Sequence, residues 1–217
     1  DGKGEPVLTY KKPAVKGSFP ITTPVESDEF NSDNLGLQWQ WDANPKVTWI
    51  SLVRGTGYLR LYSANPPADY SNLWDLPNLL MQKLPAESFT VTTKVRLGNG
   101  KTGLVILGRS YSYISLEKTA EGIKVANTTC HGVDRKGSET EIESVIILQD
   151  AVYLRVKVTG PSALCTFSSS TDGDNFKHVG NEFKAVAGGW IGPTVGIFCL
   201  GGAGGMGYAD FDGSGIE

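Results

Sequence analysis

Phe89-Thr90-Val91-Thr92-Thr93-Lys94-Val95-Arg96-Leu97 alternates in character residue by residue. Successive side chains of a strand point to opposite faces, so Phe89, Val91, Thr93, Val95 and Leu97 share one face. That is a half-buried strand, and the reading extends outward from it. Val152, Leu154, Val156 and Val158 alternate with Tyr153, Arg155 and Lys157. Residues 104–107 are wholly apolar, as a strand covered on both faces requires. Further strand signals lie at 47–53, 58–62, 113–116, 123–127, 163–169, 195–200 and 207–212. Gly98-Asn99-Gly100, Lys136-Gly137-Ser138, Gly160-Pro161 and Asp172-Gly173 supply turns between them. The best helix candidate, residues 73–84, is interrupted by Pro77 and stopped by Pro85. Many short strands with regular turn signals predict an all-β chain of two packed antiparallel sheets, a β-sandwich of jelly-roll type.

Composition agrees. With 217 residues and 40% apolar content, the chain can bury one sizeable core. The net charge is −3 with mixed signs and no Lys/Arg-rich run, which argues against nucleic acid as a partner. No apolar stretch approaches the roughly 20 residues of a spanning helix. Asp1 carries no basic and apolar leader, so any signal peptide is removed or lies elsewhere. Cys130, Cys165 and Cys199 cannot all pair and fit no zinc spacing; they read as buried free thiols, with one disulfide and a leftover thiol as the alternative. Residues 1–27, with four prolines and no periodicity, read as an extended linker, and residues 28–217 as the sandwich.

A second stretch is more specific. Asp28-Glu29-Phe30-Asn31 runs through Leu37-Gln38-Trp39-Gln40-Trp41 to Asn44-Pro45. As a strand, 37–41 would put Trp39 and Trp41 on one side and the glutamines on the other. Together with Asn78-Leu79-Leu80-Met81-Gln82-Lys83, the segment 102–108 (TGLVILG), Gly189-Trp190-Ile191-Gly192 and Val195-Gly196-Ile197-Phe198, it resembles the C-terminal sandwich domain of family forty-three glycoside hydrolases. These are the β-xylosidases and α-L-arabinofuranosidases. The resemblance spans about residues 5 to 212. It implies a concanavalin A-like fold and an upstream five-bladed propeller catalytic domain in the same polypeptide as partner. It also implies oligo- or polysaccharide (xylan or arabinoxylan) as the wider ligand class and an extracytoplasmic location, periplasmic or secreted. The propeller's motifs are not in this chain, so the chain alone is expected to be non-catalytic and to require no cofactor.

Candidate sites follow. In related β-xylosidases a sandwich loop carries an aromatic to the mouth of the propeller's active site, and the resemblance places Trp190 at or near that position, where the family often has Phe. Tyr70 and Trp74, in a Pro-rich polar loop, are candidate exposed sugar platforms. Tyr111 and Tyr113, with Arg109 as a hydrogen-bond donor, are candidates to line a sheet face. Trp39, Trp41 and Trp49 read as core. Glu139, Glu141 and Glu143 alternate and would share one side of a strand, but they read as a solvated face rather than the carboxylate pair, roughly 5–9 Å apart, of a glycosidase. His131 and His178 read as surface groups. Asp172-Gly173-Asp174-Asn175 reads as a hairpin turn rather than a calcium loop. A structural calcium at the meeting of the chain's ends would recruit Glu29 with Asp210 or Asp212. The 201–207 segment (GGAGGMG) opens no helix and so offers no phosphate cradle. The resulting expectation is an accessory domain that packs on a propeller and shapes its pocket. The alternatives are an independent carbohydrate-binding module for xylan or arabinoxylan and, last, a jelly-roll hydrolase.

Overall fold

A computed structural model describes residues 4, 7, 9–11, 13–14, 17–18, 25–52, 55–201 and 207–217. Most of the expected linker, Val53, and residues 202–206 of the Gly-rich segment lie outside these. The described chain forms β1 (Gln40–Trp41), β2 (Ile50–Leu52), β3 (Tyr58–Tyr62), β4 (Leu80–Lys83), β5 (Phe89–Asn99), β6 (Lys101–Leu107), β7 (Ser110–Lys118) and β8 (Ile123–His131). These are followed by β9 (Glu139–Ile147), β10 (Ala151–Thr159), β11 (Leu164–Ser170), β12 (Lys177–His178), β13 (Phe183–Lys184), β14 (Thr194–Leu200) and β15 (Tyr208–Ile216). Single 3-10 turns at Leu73–Asp75 and Val133–Arg135 are the helical pieces among the described residues, and none is long and apolar enough to cross a membrane.

The strands make two antiparallel sheets. One runs β1-β4-β14-β6-β7-β8-β9 and the other β12-β11-β10-β5-β15-β3-β2, with β13 also pairing β11. The period-2 patterns of β5 and β10 turn Val91, Val95, Val152, Leu154 and Val156 inward, where they meet Leu104 and Ile106 of β6 and Ile114 and Leu116 of β7. Burying each such side chain contributes about 1.5–3 kcal/mol, so this interface is the main source of stability. The all-β sandwich expectation holds.

The seven-stranded sheet is buried on its other face as well. Met81, Val105, Leu107, Tyr111, Tyr113 and Phe198 form a second core beneath Leu73, Leu76 and Leu79 of the segment leading into β4. This is the physical reason that residues 104–107 carry no polar alternation. Asn78 pins the covering segment: its side-chain amide donates to the carbonyls of Tyr62 (2.8 Å) and Cys199 (3.0 Å).

Two expectations need correction. Residues 37–41 are not one strand. A turn closes from Trp39 N–H to the Gly36 carbonyl (3.2 Å) and throws Leu37 fully into solvent, so that Gln40 and Trp41 alone pair with β4. The tryptophans still reach the core's edge by other means. Trp39 stacks on Phe30 at 5.8 Å and donates its indole N–H to Asp28 Oδ2 at 2.9 Å, while Trp41 packs on Trp49 at 5.3 Å. Likewise 47–49 is turn, and the second strand begins at Ile50.

The second correction concerns Glu139, Glu141 and Glu143. They lie on β9, but the ladder with β8 shifts register between Asn127 and Thr128, leaving Ile142 as the extra residue. A bulge of this kind reverses which face the following side chains occupy. Glu139 therefore reaches Tyr111 and Tyr113 on the second-core face, whereas Glu143 accepts from the Gly180 N–H (2.7 Å). The three carboxylates do not share a side.

All three cysteines are buried and unpaired. The Asp172-Gly173 turn joins β11 to the antiparallel β12 as expected.

Candidate functional site: the rim around Trp190

At one end of the seven-stranded sheet, three connections meet. The β6–β7 turn supplies Gly108 and Arg109. The 3-10 turn supplies Trp74. The loop 185–193 between β13 and β14 supplies Trp190 and Ile191. Each is locally determined. Asn72 caps the 3-10 turn by accepting from Trp74 N–H (3.1 Å), and Asp75 returns the favour by accepting from Ser71 N–H (2.8 Å) and Asn72 N–H (3.4 Å). Trp74 is then held by its indole N–H, which donates to the Gly108 carbonyl at 3.0 Å. Arg109 N–H donates to the Ala187 carbonyl (3.1 Å), and the loop folds on itself through Gly188 N–H to the Ile191 carbonyl (2.9 Å). Gly108 is required here: a Cβ on it would stand 1.9 Å from the Val186 carbonyl oxygen, so any side chain would push the loop off the turn.

The result is a shallow pocket of about 270 Å³ bordered by Asp42, Trp74, Gly108, Gly188, Ile191 and Thr194. Trp190, in the loop whose Gly188, Gly189, Ile191 and Gly192 border this pocket, is 102% exposed, with Ile191 at 54%. A tryptophan gains 1.5–3 kcal/mol or more from burial, on the order of what any large apolar side chain gains, and Trp190 takes none of it within this chain. Asp42, directly after the Trp41 of the second motif, was not singled out by sequence reasoning. As a residue it is exposed, yet its carboxyl stands among enough protein atoms for burial to push its pKa above the usual carboxylate value, and the carboxyl's own setting governs its proton. It is the one carboxylate bordering this pocket among the described residues, so the two-carboxylate arrangement of glycoside hydrolysis is not assembled there.

The other sequence candidates separate. Arg109 is exposed on the same rim. Trp74 is 37% exposed, with its nitrogen committed to the Gly108 carbonyl. Tyr111 is fully buried in the second core, and its hydroxyl is engaged by Glu139 Oε1 (2.6 Å) and Leu73 N–H (2.9 Å). It is a packing residue in this fold, as is Tyr113, and neither lines an open sheet face. Tyr70 packs against the same cluster and buries its hydroxyl, so it presents no platform. The alternation that suggested a sugar-facing Tyr111 was real, but the segment over that face was invisible to it.

The acids considered for calcium are engaged otherwise. Asp210 is held bidentate by Arg60 at 2.7 and 2.8 Å, and Asp212 pairs with Lys94 at 3.6 Å. Glu29 lies near Gly213, and no group of three acidic or other metal-ligating side chains converges among the described residues. In the 172–175 turn, Asp172 accepts from the Asn175 side-chain amide (2.8 Å), the Asn175 N–H (2.8 Å), the Ser170 hydroxyl (2.7 Å) and the Asp174 N–H (2.9 Å), which hold its carboxyl well below the usual range. His131 and His178 are both exposed.

Comparison with known proteins places this fold. Residues 27–214 match the family described as the β-xylosidase C-terminal concanavalin A-like domain. The chain is 30% identical over 98% of its length to a β-xylosidase of Formosa agariphila, of which it spans 38%. It is 27% identical over 94% of its length to a non-reducing end α-L-arabinofuranosidase of Bacteroides ovatus, of which it spans 39%. A solved structure described as a bifunctional GH43-CE protein of Bacteroides eggerthii superposes with a TM-score of 0.76 at 26% identity, over 88% of this chain and 25% of that one. The chain thus corresponds to well under half of the relatives it matches. On the extent of the family match, it belongs to the C-terminal concanavalin A-like domains of family forty-three β-xylosidases.

Proposed function

We propose that this chain is a non-catalytic accessory domain that docks its Trp190 rim on a five-bladed propeller catalytic domain of the same polypeptide. There it completes the substrate pocket of an enzyme trimming xylose or arabinose units from xylan-type hemicellulose. The observation that carries the reading is the fully exposed Trp190 on an internally hydrogen-bonded loop, flanked by exposed Ile191, with Trp74 bordering the pocket that the loop lines. An ordered apolar projection of this kind supports a partner surface outside the described chain. Its ring offers a sugar the flat face that C–H groups stack on, and the glycine-lined pocket beside it leaves room for a neighbouring surface. The bordering Asp42 adds an acceptor for a hydroxyl or for a backbone N–H of the propeller.

The test is Trp190→Ala in the polypeptide that includes the upstream region, assayed on short xylo- and arabinoxylo-oligosaccharides. kcat/KM is expected to fall about 10- to 100-fold, as it does when a positioning contact is lost. Trp190→Phe is expected to recover most of it. The melting temperature should not move, since the side chain buries nothing in the sandwich. Unchanged kinetics in Trp190→Ala would remove the pocket-shaping role and leave the binding-module alternative.

A further inference from the structure

The eight-stranded sheet turns Leu59, Leu61, Val95, Val156 and Phe211 into the core, so their neighbours along each strand face outward. Across the middle strand β15, Asp210 stands opposite Arg60 of β3 and Arg96 of β5, and Asp212 opposite Tyr58 of β3 and Lys94 of β5. One strand further, Ala151 stands opposite Arg96 and Tyr153 opposite Lys94. The small Ala151 between longer side chains leaves a groove of about 340 Å³ walled by Tyr58, Arg60, Lys94 and Arg96, with Asp210 and Asp212 along it. That volume is at the low end of ligand sites, enough for a short saccharide.

The charges of this groove are not equivalent. Arg60 is consumed: it holds Asp210 bidentate and lies 4.0 Å over the Tyr208 ring. Lys94 and Asp212 form a loose pair at 3.6 Å; Asp212 is exposed, while Lys94 is half-buried with its ammonium 5.5 Å from the Tyr153 ring centre. Arg96 is exposed and has neither ion pair nor hydrogen bond among the described residues. Arg155, over Phe176 at 3.4 Å, and exposed Lys157 continue the cationic stripe along β10. A chain of net charge −3 thus gathers Arg60, Lys94, Arg96, Arg155 and Lys157 on the sheet face that carries Asp210 and Asp212.

We propose that this groove is a second binding site, for an oligosaccharide that carries a uronic acid, with Arg96 as the receptor of its carboxylate. A planar guanidinium with no carboxylate of its own is suited to bidentate capture of that group. Asp212 and Lys94 supply the acceptor and donor that ring hydroxyls need, and Tyr58 supplies an aromatic wall. The same Asp212 argues against a polyanion: it would repel a second negative charge close by, whereas a polyhydroxyl ring with a single carboxylate uses it. The site lies on a sheet face remote in sequence from the Trp190 loop and does not depend on that loop's role.

The test is titration of this chain, followed by amide chemical shifts and calorimetry, with a xylo-oligosaccharide bearing one glucuronic acid branch, the same oligosaccharide unbranched, and sodium acetate. The branched ligand is expected to shift the amides of Lys94, Arg96, Ala151 and Asp212, and to bind about tenfold or more tighter than the unbranched one. Arg96→Gln, at an exposed position that leaves folding intact, should lose about tenfold in affinity for the branched ligand alone, and added salt should weaken it. The amides of the 185–193 loop should not shift with the branched ligand, which separates this site from the rim. Equal affinity for both oligosaccharides, indifference to Arg96→Gln, full competition by acetate, or no binding of the branched ligand up to about 10 mM would each overturn the proposal.

Discussion

Stability is expected to fall steeply as pH rises above about 8.5, and more steeply again above about 10, the values at which thiols and phenols ionise in an unfolded chain. Burial pushes the Cys165 thiol up to about 11 and the Cys199 thiol to about 12, and both side chains are fully enclosed. Burial, and next the Glu139 carboxylate, raise the Tyr111 and Tyr113 phenols well above their ordinary value. The sign follows from proton counts. Above its unfolded pKa each group has lost its proton in the unfolded chain but keeps it in the fold, so stability declines with pH. The decline for each is about 1.4 kcal/mol per pH unit and ends at the folded pKa. For the thiols the window is from about 8.5 to about 11 for Cys165 and to about 12 for Cys199. The phenols join from about 10. By pH about 10.5 the two thiols alone withdraw on the order of 5 kcal/mol, comparable to the whole stability of many domains. Urea denaturation at a series of pH values checks this, and Cys165→Ala with Cys199→Ala should flatten the slope between about pH 8.5 and 10. A stability that stays level across that range, or thiols that react quickly with a disulfide reagent in the native state at mild pH, would contradict the burial argument.

How far the sequence revealed the molecule depended on whether a signal was local. The β5 and β10 alternation, and the apolar run ending in β6, read correctly because each reports what covers the two faces of one strand. Residues 37–41 misled because alternation was satisfied by a turn whose tryptophans are positioned by Asp28 and Trp49, contacts the pattern does not encode. Glu139 and Glu143 were placed on one face because nothing in the ETEIES run marks the bulge; the register shift is visible in the pairing with β8 and nowhere else. At the rim, Trp190 was singled out through the family resemblance, and the structure shows its exposure. Tyr70 and Tyr111 were misplaced for one shared reason. The segment from Leu73 to Leu79 folds back over the outer face of the seven-stranded sheet, turning a face that periodicity reads as outward into a second core. Asp42 was not singled out because the pocket it borders is completed by the 185–193 loop, more than a hundred positions later.

That second core also sets the other large effect, at Glu139. One carboxylate takes both phenols, Oε1 from Tyr111 at 2.6 Å and Oε2 from Tyr113 at 2.9 Å. The Tyr111 oxygen in turn accepts from Leu73 N–H at 2.9 Å, the first residue of the turn that carries Trp74. Glu139→Ala leaves two buried hydroxyls without acceptors, at about 1–3 kcal/mol each, offset in part because a carboxylate no longer has to be desolvated. A net loss of about 3 kcal/mol is expected in urea denaturation. Glu139→Gln keeps one acceptor and should lose about 1 kcal/mol. A merely space-filling glutamate would give similar losses whatever the tyrosines do, so the deciding measurement is a double-mutant cycle. With Tyr113→Phe already present, Glu139→Ala orphans one hydroxyl instead of two, and the coupling energy should be about 1 kcal/mol or more. Glu139→Ala should also speed hydrogen exchange at the Leu73 amide and alter the near-ultraviolet signal of Trp74, because the Tyr111 oxygen that accepts from Leu73 N–H is no longer held by the carboxylate. A Glu139→Ala variant with no coupling to Tyr113 and an unchanged Leu73 amide would disconnect the β9 edge from the rim. If both shift together, the position of Trp74 beside the candidate pocket is set by a carboxylate two strands away from the tyrosines it holds.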